Sequence, residues 1–497
     1  MKDKDESHSL KSIVLVLTAA IAYRIFISIE GVERLLLIIA FAGSVTILGL
    51  FLWDRMSKRG RDAKKRYEHL QTIPRYLLQK ADAAVYMGTD LDLNAPIFLP
   101  DSVRSRHVHL IGATGSGKTD SVILNFLKQD VSRGFGSIVL DAKGDASFLE
   151  ELRVCVPESM LKVFDLSDED SLGYDPLASG SALEAAQRLF SSLIWSEEYY
   201  KSKALSSLQR LFQVHFETYA RNPKLTELAA YLESPASYIA VTKSPGYPMK
   251  LAESDFKELS GLRDQVRSLC IGHLNRTMSP CGGEGISLRD AQSGSVIYFR
   301  LQSLLSPQLV SVLGKLIINH LSYLSGTVHR KASSKLKRCF VPVYFDEFAS
   351  FACPEFADLI SKARSAGFAL HFSHQSTGDV AEVSKGFMTQ ITDNSATKIV
   401  MRINDPDSAE FFARAFGTKL VQKVTQRITN AKETDRGEAM GEGSQREAHQ
   451  FRAAPDLMKT HPTGVGSVLI AHGEDTVQGA SHVFRIKFPK LERKEKL

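Results

Sequence analysis

The period of the apolar positions changes several times along the chain, and each change predicts a different kind of element. Ile13 to Ile29 is apolar apart from Arg24 and two small hydroxyl residues, and Leu35 to Trp53 is apolar with no charge. At about 1.5 Å per residue the second run is long enough for a hydrocarbon core, while the first must accommodate a costly arginine. Two transmembrane helices joined by Glu30 to Arg34 are predicted. A signal peptide is the rival reading of the first run, and the lack of a small-residue cleavage site before the second counts against it.

Further on, short apolar runs alternate with helix-compatible ones. Val108 to Ile111 leads into a glycine-rich turn and Ser121 to Leu127 follows it, giving the order strand, loop, helix. Gly136 to Asp141 reads as a buried parallel strand and Leu161 to Phe164 as another. From about Ser181 to Pro280 the spacing becomes helical, as in Leu189 and Leu193, then Leu205, Leu208, Leu211 and Phe212, then Leu225, Leu228 and Leu232. Strand patterns return at Gly294 to Leu301, Phe340 to Asp346 and Ala369 to His374, with helices predicted at Gln308 to Ser325 and Glu355 to Ala366. The whole is an α/β chain of the doubly wound kind with an inserted all-α region, whose ligands belong at the carboxyl ends of the strands. Thr429 to Gln445 is rich in glycine and charge and has Met440 as its one aliphatic core residue, so a mobile loop is expected there.

Composition adds limits. The chain has 497 residues, 43% of them apolar and 24% charged, enough for two or three domains. A net charge of +6 permits a nucleic-acid partner without indicating one. The five cysteines are scattered and form no C-x-x-C pair, which excludes a disulfide framework or zinc site as the organising feature. Local charge is more informative. Arg55, Lys58, Arg59, Arg61, Lys64, Lys65 and Arg66 crowd the exit of the second apolar run against one acid, Asp62, which predicts a two-pass membrane protein with its bulk in the cytoplasm.

The chemistry centres on Gly112-Ala113-Thr114-Gly115-Ser116-Gly117-Lys118-Thr119, a full match to the phosphate-binding pattern G-x-x-x-x-G-K-[ST]. Its glycines let backbone N–H groups converge on an anion, and the following helix adds its positive end. In such a site, Lys118 reaches the β- and γ-phosphates of ATP, and Thr119 holds Mg²⁺. The strand Phe340 to Asp346 runs into Glu347, and such a pair suits a hydrolase: Asp346 for the metal and its water, Glu347 to polarise the attacking water. Arg364 lies 18 residues after Asp346 and Gln375 follows the next strand. A guanidinium from a neighbouring subunit can stabilise transferring charge, and a strand-end amide can sense the γ-phosphate. Taken alone, Arg364 reads better as a surface ion pair, and Gln375 equally as an ordinary strand-end hydrogen bond.

The order of these motifs, with Asp141-Ala142-Lys143-Gly144-Asp145, Tyr174-Asp175-Pro176-Leu177 and Asn394-Ser395-Ala396-Thr397-Lys398-Ile399, resembles the type IV coupling proteins, the VirD4/TraD/TraG-like ATPases of conjugation. The resemblance implies a RecA-like P-loop NTPase core with an inserted all-α domain, forming a homo-hexameric ring. Such a ring couples hydrolysis of ATP with Mg²⁺ to passage of single-stranded DNA and its attached relaxase into a type IV secretion channel. The implied partners are the relaxosome proteins and the channel's inner-membrane components. Residues 1–54 are then a two-pass anchor in the bacterial inner membrane, 55–86 a basic linker, 87–180 and 281–490 the two parts of the nucleotide-binding domain, and 181–280 the all-α domain. By position, the catalytic set is Lys118, Glu347, Arg364 and Gln375, with Thr119 and Asp346 on the metal. Asp175-Pro176 stands where the family has Asn-Pro, and the five-residue link between the apolar runs is shorter than in many relatives. Two rival readings are a chromosome-type DNA pump of the FtsK/HerA kind and a substrate receptor that uses nucleotide only to hold its shape.

Overall fold

The computed structural model describes residues 73–242, 256–280, 285–330, 339–429, 438–471 and 481–490. Thirteen strands are formed among them: β1 (Ala84–Asp90), β2 (Ala95–Pro100), β3 (Val108–Ile111), β4 (Ser137–Asp141), β5 (Leu161–Asp165), β6 (Val296–Arg300), β7 (Val341–Asp346), β8 (Phe368–His374), β9 (Thr397–Val400), β10 (Thr418–Thr429), β11 (Glu438–Phe451), β12 (Val465–Ile470) and β13 (His482–Lys487). Eleven of them make one sheet in the order β2-β1-β13-β12-β9-β3-β8-β7-β4-β6-β5, and β10 pairs only with β11. From β9 to β5 every neighbouring pair is parallel, whereas β12, β13, β1 and β2 join antiparallel beside β9.

The parallel part follows from composition. Every residue of β3, β4, β7, β8 and β9 is buried, as strands covered by helices on both faces must be. Runs such as Val341-Pro342-Val343-Tyr344-Phe345 have no polar side to offer water. Between β5 and β6 the described chain is helical, with Ala182–Ser192, Glu198–Tyr219, Leu225–Tyr231, Pro235–Thr242 and Ser260–Ser268 the longer pieces. Ser181 and Glu184 form a reciprocal capping box that fixes where the first of these starts. Leu189, Leu208, Leu211 and Leu228 are fully buried and continuous with the core that covers the sheet through the helix Pro307–Arg330.

Two expectations are corrected. Among the described residues no helix is long and apolar enough to cross a membrane, which overturns the two-pass inner-membrane placement. The physical reason is visible in one of the two longest of them: Glu198–Tyr219 buries one face and keeps Glu198, Lys201, Lys203, Arg210 and Glu217 along the rest. The runs Ile13 to Ile29 and Leu35 to Trp53, on which the placement rested, lie outside the described residues. The second correction concerns Thr429 to Gln445, expected as a mobile loop. Its described part belongs to a long antiparallel hairpin, in register from Thr418↔Phe451 to Thr429↔Glu438 with one irregularity near Gln426. Its pairing is backbone to backbone, so a strand can form there without the apolar alternation that the sequence lacks.

Under the amino ends of β3, β7 and β8 sits a buried polar cluster. Arg104 is fully buried and forks onto Asp130, with its NH1 2.8 Å from Oδ1 and its NH2 2.6 Å from Oδ2. Its Nε donates to His371 Nε2 at 3.0 Å, so the His371 proton sits on Nδ1, which donates to the Ala369 carbonyl. Tyr344 donates its hydroxyl proton to Asp130 and accepts from Arg104. Burial holds His371 neutral, its pKa far below the ordinary value. Removing one partner from such a pair leaves an uncompensated buried charge. Asp130→Ala is therefore expected to cost about 3–5 kcal/mol, while Arg104→Met with Asp130→Leu together cost much less. Thermal unfolding of the three proteins checks this ordering.

Candidate active site

The glycine-rich loop links β3 to a helix that begins as a π-helical turn, Lys118–Ile123, and continues as α-helix through Leu124–Ser132. Gly117 at φ 98° opens that turn, a conformation that side chains with a Cβ rarely adopt, and a Cβ there would also meet the Gly464 nitrogen at 3.2 Å. The loop backbone is held from three sides. Gly112 N donates to His374 O at 3.2 Å, Ala113 N to Arg402 O at 2.7 Å, and Ser116 O accepts from Gly464 N at 2.9 Å. Thr463 Oγ1 adds a bond to Gly115 O at 3.1 Å.

The loop faces a cavity of about 530 Å³, lined by residues 113–120 and by Asp141, Lys143, Asp145, Asp346, Glu347 and Gln375 among others. Lys118 lies against the loop's own carbonyls, with Nζ 2.5 Å from Gly112 O and 3.3 Å from Ala113 O. Burial lowers its proton affinity, and Glu347 and Asp346 oppose that shift. Thr119 Oγ1 donates to Asp346 Oδ2 at 2.7 Å. The other oxygen of Asp346 accepts from Ser373 Oγ at 2.6 Å and from Glu347 N at 3.1 Å. Asp346 thus joins the loop helix, β7 and β8 at one carboxylate.

Glu347 takes a left-handed backbone, φ 54°, which turns its side chain away from the strand direction at the carboxyl end of β7. Gln375 donates from Nε2 to Glu347 Oε1, and its Oε1 accepts from Thr114 Oγ1 at 3.0 Å. A hydrogen-bonded path therefore runs from the phosphate loop through Gln375 to the acid. Behind Gln375, His374 and His109 are buried with their Nε2 atoms 2.7 Å apart. Burial lowers His374 to about 4 and His109 well below its ordinary value, so both rings are neutral. His374 Nδ1 faces the Ser376 carbonyl at 2.7 Å and must donate. His109 Nε2 is then the donor of the pair, and this chain of protons fixes the strand end that carries Gln375.

The far wall is built on β4. Asp141 accepts from the amides of Lys143 and Gly144, each at 2.9 Å, and of Asp145 at 3.1 Å, while the Tyr298 hydroxyl donates to it at 2.6 Å. Burial raises the Asp141 pKa, and these donors work against the rise. Gly144, at φ 68°, is required because a Cβ would stand 2.3 Å from Gln302 Cγ. Lys143 pairs with Asp145 at 3.2 Å on the cavity side.

The structure thus brings together Gly112, Ala113, Thr114, Gly115, Ser116, Gly117, Lys118, Thr119, Asp346, Glu347 and Gln375. It does not bring Arg364 to them. Arg364 is exposed on the 3₁₀ turn Ala363–Ala366, immediately before β8, and not on the regular helix, which stops at Lys362. The cavity lies at the other end of that seven-residue strand, roughly 20 Å away at strand rise. Sequence reasoning missed Ser373, the Tyr298 hydroxyl, and the Thr463–Gly464 contact. Ser373 left a trace, since a hydroxyl two residues before Gln375 stands on the same face of the strand. The other two depend on long-range register and left none.

Residues 341–461 match the family described as the TraM recognition site of TraD and TraG. Among solved structures, the unbound bacterial conjugative coupling protein TrwB is similar at a TM-score of 0.62 and 15% identity, over 84% of this chain and 91% of that one. TrwB with ADP and Mg²⁺ is similar at 0.59 and 15%, over 85% and 93%. VirB4 of Thermoanaerobacter pseudethanolicus is similar at 0.50 and 15%, over 82% and 97%. Among curated protein sequences none matches the chain. The resemblance to type IV coupling proteins is borne out by the family match, and the mixed α/β sheet core is of the TrwB kind. Ser373→Ala removes one of the donors that hold the buried Asp346 carboxylate and is expected to cost about 1–3 kcal/mol. A lowered melting temperature, restored by Ser373→Thr if the added methyl is accommodated, checks that.

Proposed function

We propose that this chain is an ATP-hydrolysing coupling protein of conjugation, which passes single-stranded DNA with its attached relaxase into a type IV secretion channel. The observation that carries the hydrolytic part is the 2.7 Å bond between Thr119 Oγ1 and Asp346 Oδ2, with Glu347 next in the chain and tied to Gln375. A hydroxyl and a carboxylate from different elements, side by side at the mouth of a phosphate loop, are the donor set that a nucleotide-bound Mg²⁺ takes. When bound, Mg²⁺ supplies charge neutralisation between the β- and γ-phosphates.

The chain's own residues divide the rest. The loop amides and Lys118 hold phosphate oxygens, and Lys118 exchanges its contacts with Gly112 O and Ala113 O for them. Glu347 accepts a proton from the attacking water or orients it, and Gln375 holds the Glu347 carboxylate in place. Arg364 is too far from the cavity of its own chain, so it serves the site of a neighbouring copy, in keeping with a homo-hexameric ring. The transfer part of the reading is supported by the family match over 341–461 and by the TrwB-like fold. The same match supports relaxosome proteins as partners.

ATP turnover by the purified chain, with and without single-stranded DNA, tests the reading. Lys118→Ala and Glu347→Gln are each expected to lower kcat at least a hundredfold, about 2.7 kcal/mol or more of barrier, and DNA to raise the rate of the unaltered chain. Turnover indifferent to both substitutions would overturn hydrolysis at this site, and turnover indifferent to DNA would favour a receptor that uses nucleotide structurally. Thr114→Val, which deletes the hydrogen bond to Gln375, is expected to lower kcat about five- to tenfold with little change in KM, and Thr114→Ser to restore it.

A further inference from the structure

The hairpin of β10 and β11 is joined to no other strand, and its strands are 12 and 14 residues long. A two-stranded ribbon with two open edges is marginal in water, so something outside its own backbone pairing has to favour it. Its register shows what that is. Residues directly opposite in an antiparallel pair stand on the same side, and alternate pairs share a face. Lys419 opposite Gln450, Val421 opposite Ala448 and Lys423 opposite Arg446 therefore form one face. Lys419, Lys423 and Arg446 are exposed there, and no ion pair of theirs occurs among the described residues. Glu447, the acid nearest these charges in the register, stands opposite Gln422 on the other face with Leu420 and His449, and Glu438 and Glu442 lie further along β11.

Two like charges directly opposite each other destabilise a ribbon. Lys423 and Arg446 are such a pair, and Lys419 extends the same sign about 13 Å along the strand at its usual rise. A chain of evenly spaced negative charges laid along this face relieves the repulsion at each step, which a single anion cannot do. The face carries no aromatic side chain on which a base could stack. We propose that this face of the hairpin binds the phosphate backbone of single-stranded nucleic acid, without reading its sequence. The inference rests on the DNA-transfer reading above and assigns it a surface outside the nucleotide cavity.

The test uses the full chain and a fluorescein-labelled thymidine 30-mer, with the dissociation constant measured by anisotropy between 50 and 300 mM salt. The variant Lys419→Gln, Lys423→Gln, Arg446→Gln is expected to bind more weakly and to lose about 2 from the slope of log affinity against log salt, since each backbone contact contributes roughly 0.7. Lys423→Glu provides a fold-safe second variant, because it faces Arg446 with an opposite charge and strengthens the ribbon while spoiling the face. It is expected to bind more weakly still per site changed. DNA-free ATP turnover should be unchanged in both. An unaltered slope in both variants overturns this inference and leaves the transfer reading standing. Failure of the unaltered chain to bind the oligonucleotide overturns both. Displacement by polyglutamate as effective as by unlabelled oligonucleotide assigns the face to an acidic protein surface and overturns the nucleic-acid assignment.

Discussion

The carboxylate of Asp346 is where the separate parts of this molecule meet. One oxygen takes the hydroxyl of Thr119 from the loop helix, and the other takes the hydroxyl of Ser373 from β8 and the amide of Glu347. A buried carboxylate left short of donors is costly, so the three elements are held in mutual register by the need to satisfy it. That register places Glu347 beside Gln375, and Gln375 beside Thr114. The geometry of the candidate site is thus a by-product of hydrogen-bond satisfaction at a strand end. The parallel sheet makes this possible, because its central strands are apolar along their lengths and gather their polar side chains at their carboxyl ends.

How much of this was legible depends on the range of the interaction that fixes each part. The phosphate loop, the strand ending in Asp346 and the strand before Gln375 are written in runs of fewer than a dozen residues, and their order gave the α/β architecture. The resemblance to coupling proteins rested on that order, and the match over 341–461 covers its second half. Tyr298 acts across strands distant in sequence, with no local pattern to mark it, and Ser373 left only the trace of a hydroxyl two residues before Gln375. The hairpin of β10 and β11 was missed for a different reason. Strand patterns are read from the burial of one face, and neither face is buried over 418–423 and 446–451; Thr429 to Gln445 has no apolar alternation in sequence and so looked like an unstructured polar segment. Arg364 was placed on a helix, and its 3₁₀ turn follows from the last residues before a strand having to reverse direction through Gly367, at φ 92°. The membrane placement failed on the described residues, none of whose helices is long and apolar enough to cross a membrane.

The cavity at the glycine-rich loop and the basic hairpin are separate surfaces, yet the chain gives them a common foundation. The excursion that carries the hairpin leaves the sheet at the end of β9, where Arg402 O accepts from Ala113 N, and returns ahead of β12, where Gly464 N donates to Ser116 O. Both roots of the arm are therefore hydrogen-bonded to the phosphate loop itself. Between them the helix Pro406–Phe416 is capped by Asp405, whose carboxylate also takes Ser408, and Ser408 in turn bonds to Thr377 just past Gln375. The base of the hairpin is therefore tied by direct hydrogen bonds to the loop's backbone and to the turn after Gln375, and not only through the breadth of the sheet. Coupling between two sites needs a contiguous element whose arrangement both of them bias. The short stretch of loop, strand end and capped helix on which the arm is mounted supplies the contiguity.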